Sequence, residues 1–182
     1  SQTDRRQRPV AGKGTQAMAE IHVPEPLELG LQVGRLVGRT VRVSEASDRN
    51  KFDSSCHVAY YVTREDELAG VCVVDLALSR YLGGALAMIP PGTVLEAGEG
   101  DDGRELDEDL LEGYYEVANI MAALLCADGA PHVRLIGIDE AGKEFESSVL
   151  ATIADPCVRI DVEVEVEEYG KGLMTLLTTR QS

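Results

Sequence analysis

A chain of 182 residues, 44% apolar and 27% charged, is long enough for one domain with a sizeable core and is ordinary in composition for a globular protein. Its 32 acidic against 17 basic residues give a formal net charge of -15, a surface that repels a phosphate backbone and argues against nucleic acid as a partner. The longest apolar stretches fall well short of the ~20 residues of a membrane span and no charged-then-apolar leader opens the chain, so the expected location is the cytoplasm.

Residues 1–17, SQTDRRQRPVAGKGTQA, hold four basic residues against one acidic and show no periodicity. They read as a disordered tail or cloning remnant, with Met18 as a natural start and residues 18–182 as a single domain. After Pro24 and Pro26, the apolar residues of LELGLQVGRLVG fit a helix or a strand. The length of the run and the strand-like TVRV that follows favour a helix of about three turns ending near Gly38. SEASDRNKFDSS is a polar loop. CHVAYYVT and LAGVCVVDL flank the charged REDE and predict a β-hairpin of buried strands.

A second helix, from about Leu76 to Met88, is expected to stop at Ile89-Pro90-Pro91-Gly92. The acidic, glycine-rich residues 95–106 read as a surface loop. The next helix opens at Asp107, a good N-cap, with Glu108 and Asp109 where the helix dipole favours anions, and runs to about Cys126. Strands are then expected at HVRLIGID, SSVLATI, VRIDVEVEVEE and LMTLLTT. In the third of these Val158, Ile160, Val162 and Val164 alternate with Arg159, Asp161, Glu163 and Glu165, the mark of a half-exposed antiparallel strand. The sum is an α+β fold, an antiparallel sheet with helices packed on one face.

An internal repeat fits this layout. Gln32-Val33-Gly34-Arg35-Leu36-Val37-Gly38 matches Glu116-Val117-Ala118-Asn119-Ile120-Met121-Ala122 in character. Each is followed by a similar strand, TVRV in one case and HVRL in the other, as in a pseudo-symmetric duplication. The four cysteines, Cys56, Cys72, Cys126 and Cys157, are widely spaced without a CxxC pair and read as reduced core thiols. His22, His57 and His132 are scattered, with no metal-ligand spacing.

The helix from Asp107 is amphipathic. With Glu112 set to zero at ~100° per residue, Leu110, Tyr114, Val117, Met121, Leu124 and Leu125 form one apolar stripe between about 120° and 220°. Glu116 lies near 40°, Asn119 near -20° and Ala123 near 20°, on the opposite side. A solvated face predicts polar residues there too. Asparagine, however, is a poor helix-interior residue, and Ala122 and Ala123 would let a partner's backbone come close. Side chains three apart on a helix are neighbours, with Cβ atoms about 5–6 Å apart, so Glu116 and Asn119 can address one small target together.

The stretch ELDEDLLEGYYEVANIMAALL, preceded by DLALSRYLGGALAMIPPG, resembles the CheC/CheX/FliY family of chemotaxis phosphatases. Those proteins carry an Asp/Ser-x3-Glu-x2-Asn motif on an exposed helix. Glu116-Val117-Ala118-Asn119 matches its Glu-x2-Asn core, and the likeness in element order covers most of residues 19–180. Glu112 stands at the Asp/Ser position, and Gly142 stands 23 positions after Asn119, where the pattern has proline. The first repeat offers Gln32 and Arg35, or Glu28 and Leu31 in another register, and neither is an acid–amide pair. The resemblance implies one site per chain, as in the dimeric CheX-type members, and hence a homodimer.

It further implies a two-component signalling hydrolase acting on the aspartyl phosphate of a CheY-like response regulator. Asn119 would position the attacking water and Glu116 would pair with a lysine of the receiver. Glu112, Ala122 and Ala123 would lie against the partner. Magnesium would come with the receiver, leaving this chain without a cofactor of its own. The alternatives are a non-catalytic binding module like the middle domain of the flagellar switch protein FliM, or a dimerisation domain built on edge strands.

Overall fold

Pro26 and Gly38 bracket the first helix, α1 (Pro26–Val37). Proline's fixed φ suits the first helical turn, and Gly38 closes the helix with φ 66. This computed structural model describes residues 21–50, 52, 55–99, 106–126, 130–139 and 144–179. The expected tail at 1–17 lies outside the described residues, as does much of the acidic loop expected at 95–106.

Chain order continues with β1 (Val41–Glu45), β2 (Cys56–Val62), β3 (Leu68–Asp75), α2 (Leu76–Leu86), α3 (Pro91–Glu99) and α4 (Glu108–Leu124). Then follow β4 (Arg134–Asp139), α5 (Ser147–Ala154), β5 (Val158–Val166) and β6 (Gly170–Thr178). The strands form one antiparallel sheet in the order β1-β5-β6-β3-β2-β4. Matching β1 to β4, β2 to β5 and β3 to β6 reproduces that order read from the other edge. The duplication anticipated from the helix–strand repeat is therefore built into the sheet, with its axis between β3 and β6.

Strand alternation divides the interior in two. Ala59, Tyr61, Cys72, Val74, Val162, Val164, Met174 and Leu176 face the main core, shared with α1, α2, α3 and α4. Val58, Tyr60, Val71, Val73 and Leu177 face the other way. The segment SSVLATI, expected as a strand, is the helix that covers this second patch. Val149 is wholly buried there, Thr152 is buried one turn on, and Ile153 packs beside them. Its β-branched residues suggested a strand, and the apolar patch on the sheet decided otherwise. Thr152 bonds back to the Ser148 carbonyl at 2.9 Å, a helical alternative open to its hydroxyl.

Residues 95–99 are likewise helical rather than loop. Pro91, read as a stop signal, is the first residue of α3, where its missing N–H costs nothing. Val94 then packs into the main core against Gly84. Of the four cysteines, Cys56 and Cys72 are buried, Cys126 is half-buried and Cys157 is exposed, so only two are the core thiols expected. No described helix is long and apolar enough to cross a membrane.

Candidate functional site on helix α4

Three devices fix α4. At its start the Asp107 carboxylate accepts the Leu110 N–H at 3.0 Å, the cap read from the sequence. On its flank Gly113 meets Gly83 of α2 backbone to backbone. A Cβ built on Gly113 would stand 2.4 Å from the Gly83 carbonyl oxygen, and one on Gly83 2.2 Å from that of Leu110. Beneath it the buried Tyr61 of β2 donates its hydroxyl to the Ala118 carbonyl at 2.7 Å, between the two residues of interest.

His57, also on β2, meets Tyr114 edge-on with ring centroids 5.8 Å apart. Its Nδ1 lies 3.1 Å from the Ser79 hydroxyl, which itself donates to the Leu76 carbonyl. That leaves Nδ1–H as the donor to Ser79. Burial, aided by the nearby Arg80 charge, lowers the His57 pKa to about 4, so the ring is neutral at physiological pH.

Against this frame Leu110, Tyr114, Val117 and Met121 are buried, and Glu112, Glu116, Asn119 and Ala123 are exposed. The side chains of Glu112, Glu116 and Asn119 make no hydrogen bond or ion pair with any described residue. Ala122 departs from expectation: anticipated on the contact floor beside Ala123, it is 7% exposed and belongs to the core. The buried arc is wider than the apolar stripe. Gly113, Ala118 and Ala122 are small enough for α2, β4 and α1 to close over the helix flanks. Only Ala123 therefore remains as an exposed methyl beside the pair.

A feature that periodicity did not reveal lies alongside. An open groove of about 900 Å³ runs between the end of α2 and the first half of α4. Leu86, Ala87 and Ile89 line one side, and Leu111, Tyr115, Glu108, Asp109, Glu112 and Glu116 the other. Glu112 and Glu116 thus belong both to the groove and to the outward face, with Asn119 on the turn beyond. Nothing in the sequence signals the groove, because its two sides meet only through the packing of α2 on α4. Among the described residues no group of three or more His, Cys, Asp or Glu is placed to hold a metal ion.

No family model matches the chain. No curated protein sequence matches it either. Among solved structures, FliY from Thermotoga maritima aligns over 82% of this chain and 81% of its own, at 15% identity and a TM-score of 0.52. A chain of the CheX-CheY-BeF3-Mg+2 complex from Borrelia burgdorferi aligns over 85% and 95%, at 14% identity and a TM-score of 0.49. The FliM middle domain from H. pylori aligns over 85% and 84%, at 10% identity and a TM-score of 0.45. Of these, the FliY match carries the structural conclusion: the chain has a CheC/CheX/FliY-like fold.

Proposed function

We propose that the protein is a phosphatase for the aspartyl phosphate of a CheY-like receiver domain, with α4 as its working face. The observation that carries this reading is the unengaged Glu116 and Asn119, exposed one turn apart on a helix whose other side is locked into the core of a FliY-like fold.

An acyl phosphate is intrinsically labile, so catalysis needs a water held in line with phosphorus more than it needs a strong base. The Asn119 side-chain oxygen accepts from that water while its amide nitrogen donates to a phosphoryl oxygen. Glu116 pairs with a cationic side chain beside the phosphorylated aspartate and fixes the approach. Magnesium, held by the receiver's own carboxylates, balances the phosphoryl charge, so this chain supplies no ligand. His57 takes no part, being buried beneath Tyr114.

A second reading, a receiver-binding module without turnover, draws on the sequence at Glu112, a longer acid than the family pattern has, and on Gln32 and Arg35 in the matching helix. Turnover separates the two. Receivers charged with acetyl phosphate lose their phosphate faster with wild type present, and Asn119→Ala should cut that acceleration by at least ~10²-fold while still binding. Glu116→Lys should abolish binding. A wild type that binds receivers without accelerating phosphate loss leaves the binding module as the function.

A further inference from the structure

We propose that the groove between α2 and α4 seats a cationic, apolar-ridged segment of the receiver that presents the phosphoryl group, with Met88 as a plug entering the partner's surface. This deepens the phosphatase reading and rests on its choice of partner. The groove supplies an apolar floor from Leu86, Ala87, Ile89 and Leu111. Glu108, Asp109, Glu112 and Glu116 all line it, and no lysine, arginine or histidine does. Seating an acidic or neutral segment would crowd these carboxylates with nothing to balance them. A second copy of this chain, at a net charge of -15 and bringing the same groove, is disfavoured for that reason. Lysines or arginines flanking an apolar ridge satisfy both floor and wall.

Met88 stands between two groove-lining residues and supplies a separate indication. The end of α2 closes with the Ile89 N–H on the Gly84 carbonyl at 2.9 Å and the Met88 N–H on that of Ala85 at 3.2 Å. This closure gives Met88 a φ of 57, a conformation that glycine adopts freely and a side chain resists. Yet Met88 is 86% exposed, so packing against the described residues does little to offset the strain. An unbranched, polarizable thioether is well suited to fill an irregular hollow in another protein. The groove also leads to Glu116 and, a turn later, Asn119, so an occupant lying in it brings its neighbouring phosphoryl group to the amide.

The test is Met88→Gly, titrated with receiver domains of the same organism activated by beryllofluoride and magnesium. Glycine relieves the left-handed backbone, so the thermal midpoint should stay or rise. Receiver affinity should fall about tenfold, and wild-type affinity should weaken steadily with added salt. Unchanged affinity in Met88→Gly, or wild-type binding indifferent to salt, overturns the groove proposal even if Asn119→Ala has lost turnover. The converse, a Met88-dependent and salt-sensitive complex without any phosphatase activity, supports the groove and rejects the enzyme. A wild type that binds no activated receiver rejects both.

Discussion

Matched through the repeat, Val33 and Val37 of α1 occupy the places of Val117 and Met121 in α4, and all four are buried. On the outer side the helices part. α4 exposes Glu116 and Asn119 where α1 exposes Gln32 and Arg35, and α1 adds two bare leucines, Leu27 and Leu31. Their anchorage differs as well. α1 lies on an edge strand through Gly30 and Gly34, whose added Cβ atoms would approach the Val41 and Arg39 carbonyls to within 3 Å. α4 is clasped to another helix at Gly83 and Gly113 and bonded from below by Tyr61. The two halves of the fold present similar scaffolds, and of the two helices α4 is the one that combines the acid–amide pair with the Gly83 clasp and the Tyr61 bond.

Breaking that mounting should have the largest effect. Gly113→Ala gains up to ~1 kcal/mol in helix propensity, yet its methyl would collide with the Gly83 backbone. Overpacking at a site that cannot yield costs about 3 kcal/mol or more. Chemical denaturation should therefore find the variant clearly destabilised. A neutral or stabilised variant would mean that α2 and α4 are not clasped there, and the contrast with α1 would lose its basis.

A smaller effect comes from acid. The folded His57 pKa, about 4, lies below the ordinary value of 6.5, so protonation favours the unfolded chain. This contribution is intact above pH 6.5 and is lost as pH falls from there toward 4, by about 1.4 kcal/mol for each unit. His57→Asn should flatten the pH dependence of the unfolding midpoint across that window. An identical acid limb in wild type and variant would remove His57 from the supports under Tyr114. The matching helix α1 has no such titrating partner in the described core, so acid should loosen the α4 side first.

Much of this organisation was legible in the chain. Pro26 and Gly38, the alternating valines of β5, the Asp107 cap and the 3.6-residue stripe of α4 each have a local physical cause, and each stands where the sequence placed it. The duplication was visible because its two helices keep apolar residues at the same inward positions, Val33 with Val117 and Val37 with Met121. What escaped depended on contacts distant in sequence. SSVLATI is strand-like by composition, but an apolar patch formed by β2, β3 and β6 called for a helix. Pro91 reads equally as the end of one helix or the start of another. At the candidate site, angle alone separated Glu116 and Asn119 from the core, but could not tell that neighbouring elements close over Ala122. The groove was hidden for the same reason, since its two sides come from separate stretches of the chain, residues 86–89 and 108–116.

The most direct measurement is the footprint of a beryllofluoride-activated receiver on the protein, read residue by residue from amide NMR shifts. The expected footprint covers the outward residues of α4 from Glu112 to Ala123 together with Ala87 to Ile89, and leaves Gln32 and Arg35 of α1 unperturbed. A footprint centred on α1, or on the open side of the sheet along β5, with α4 silent, would contradict the assignment of the working face.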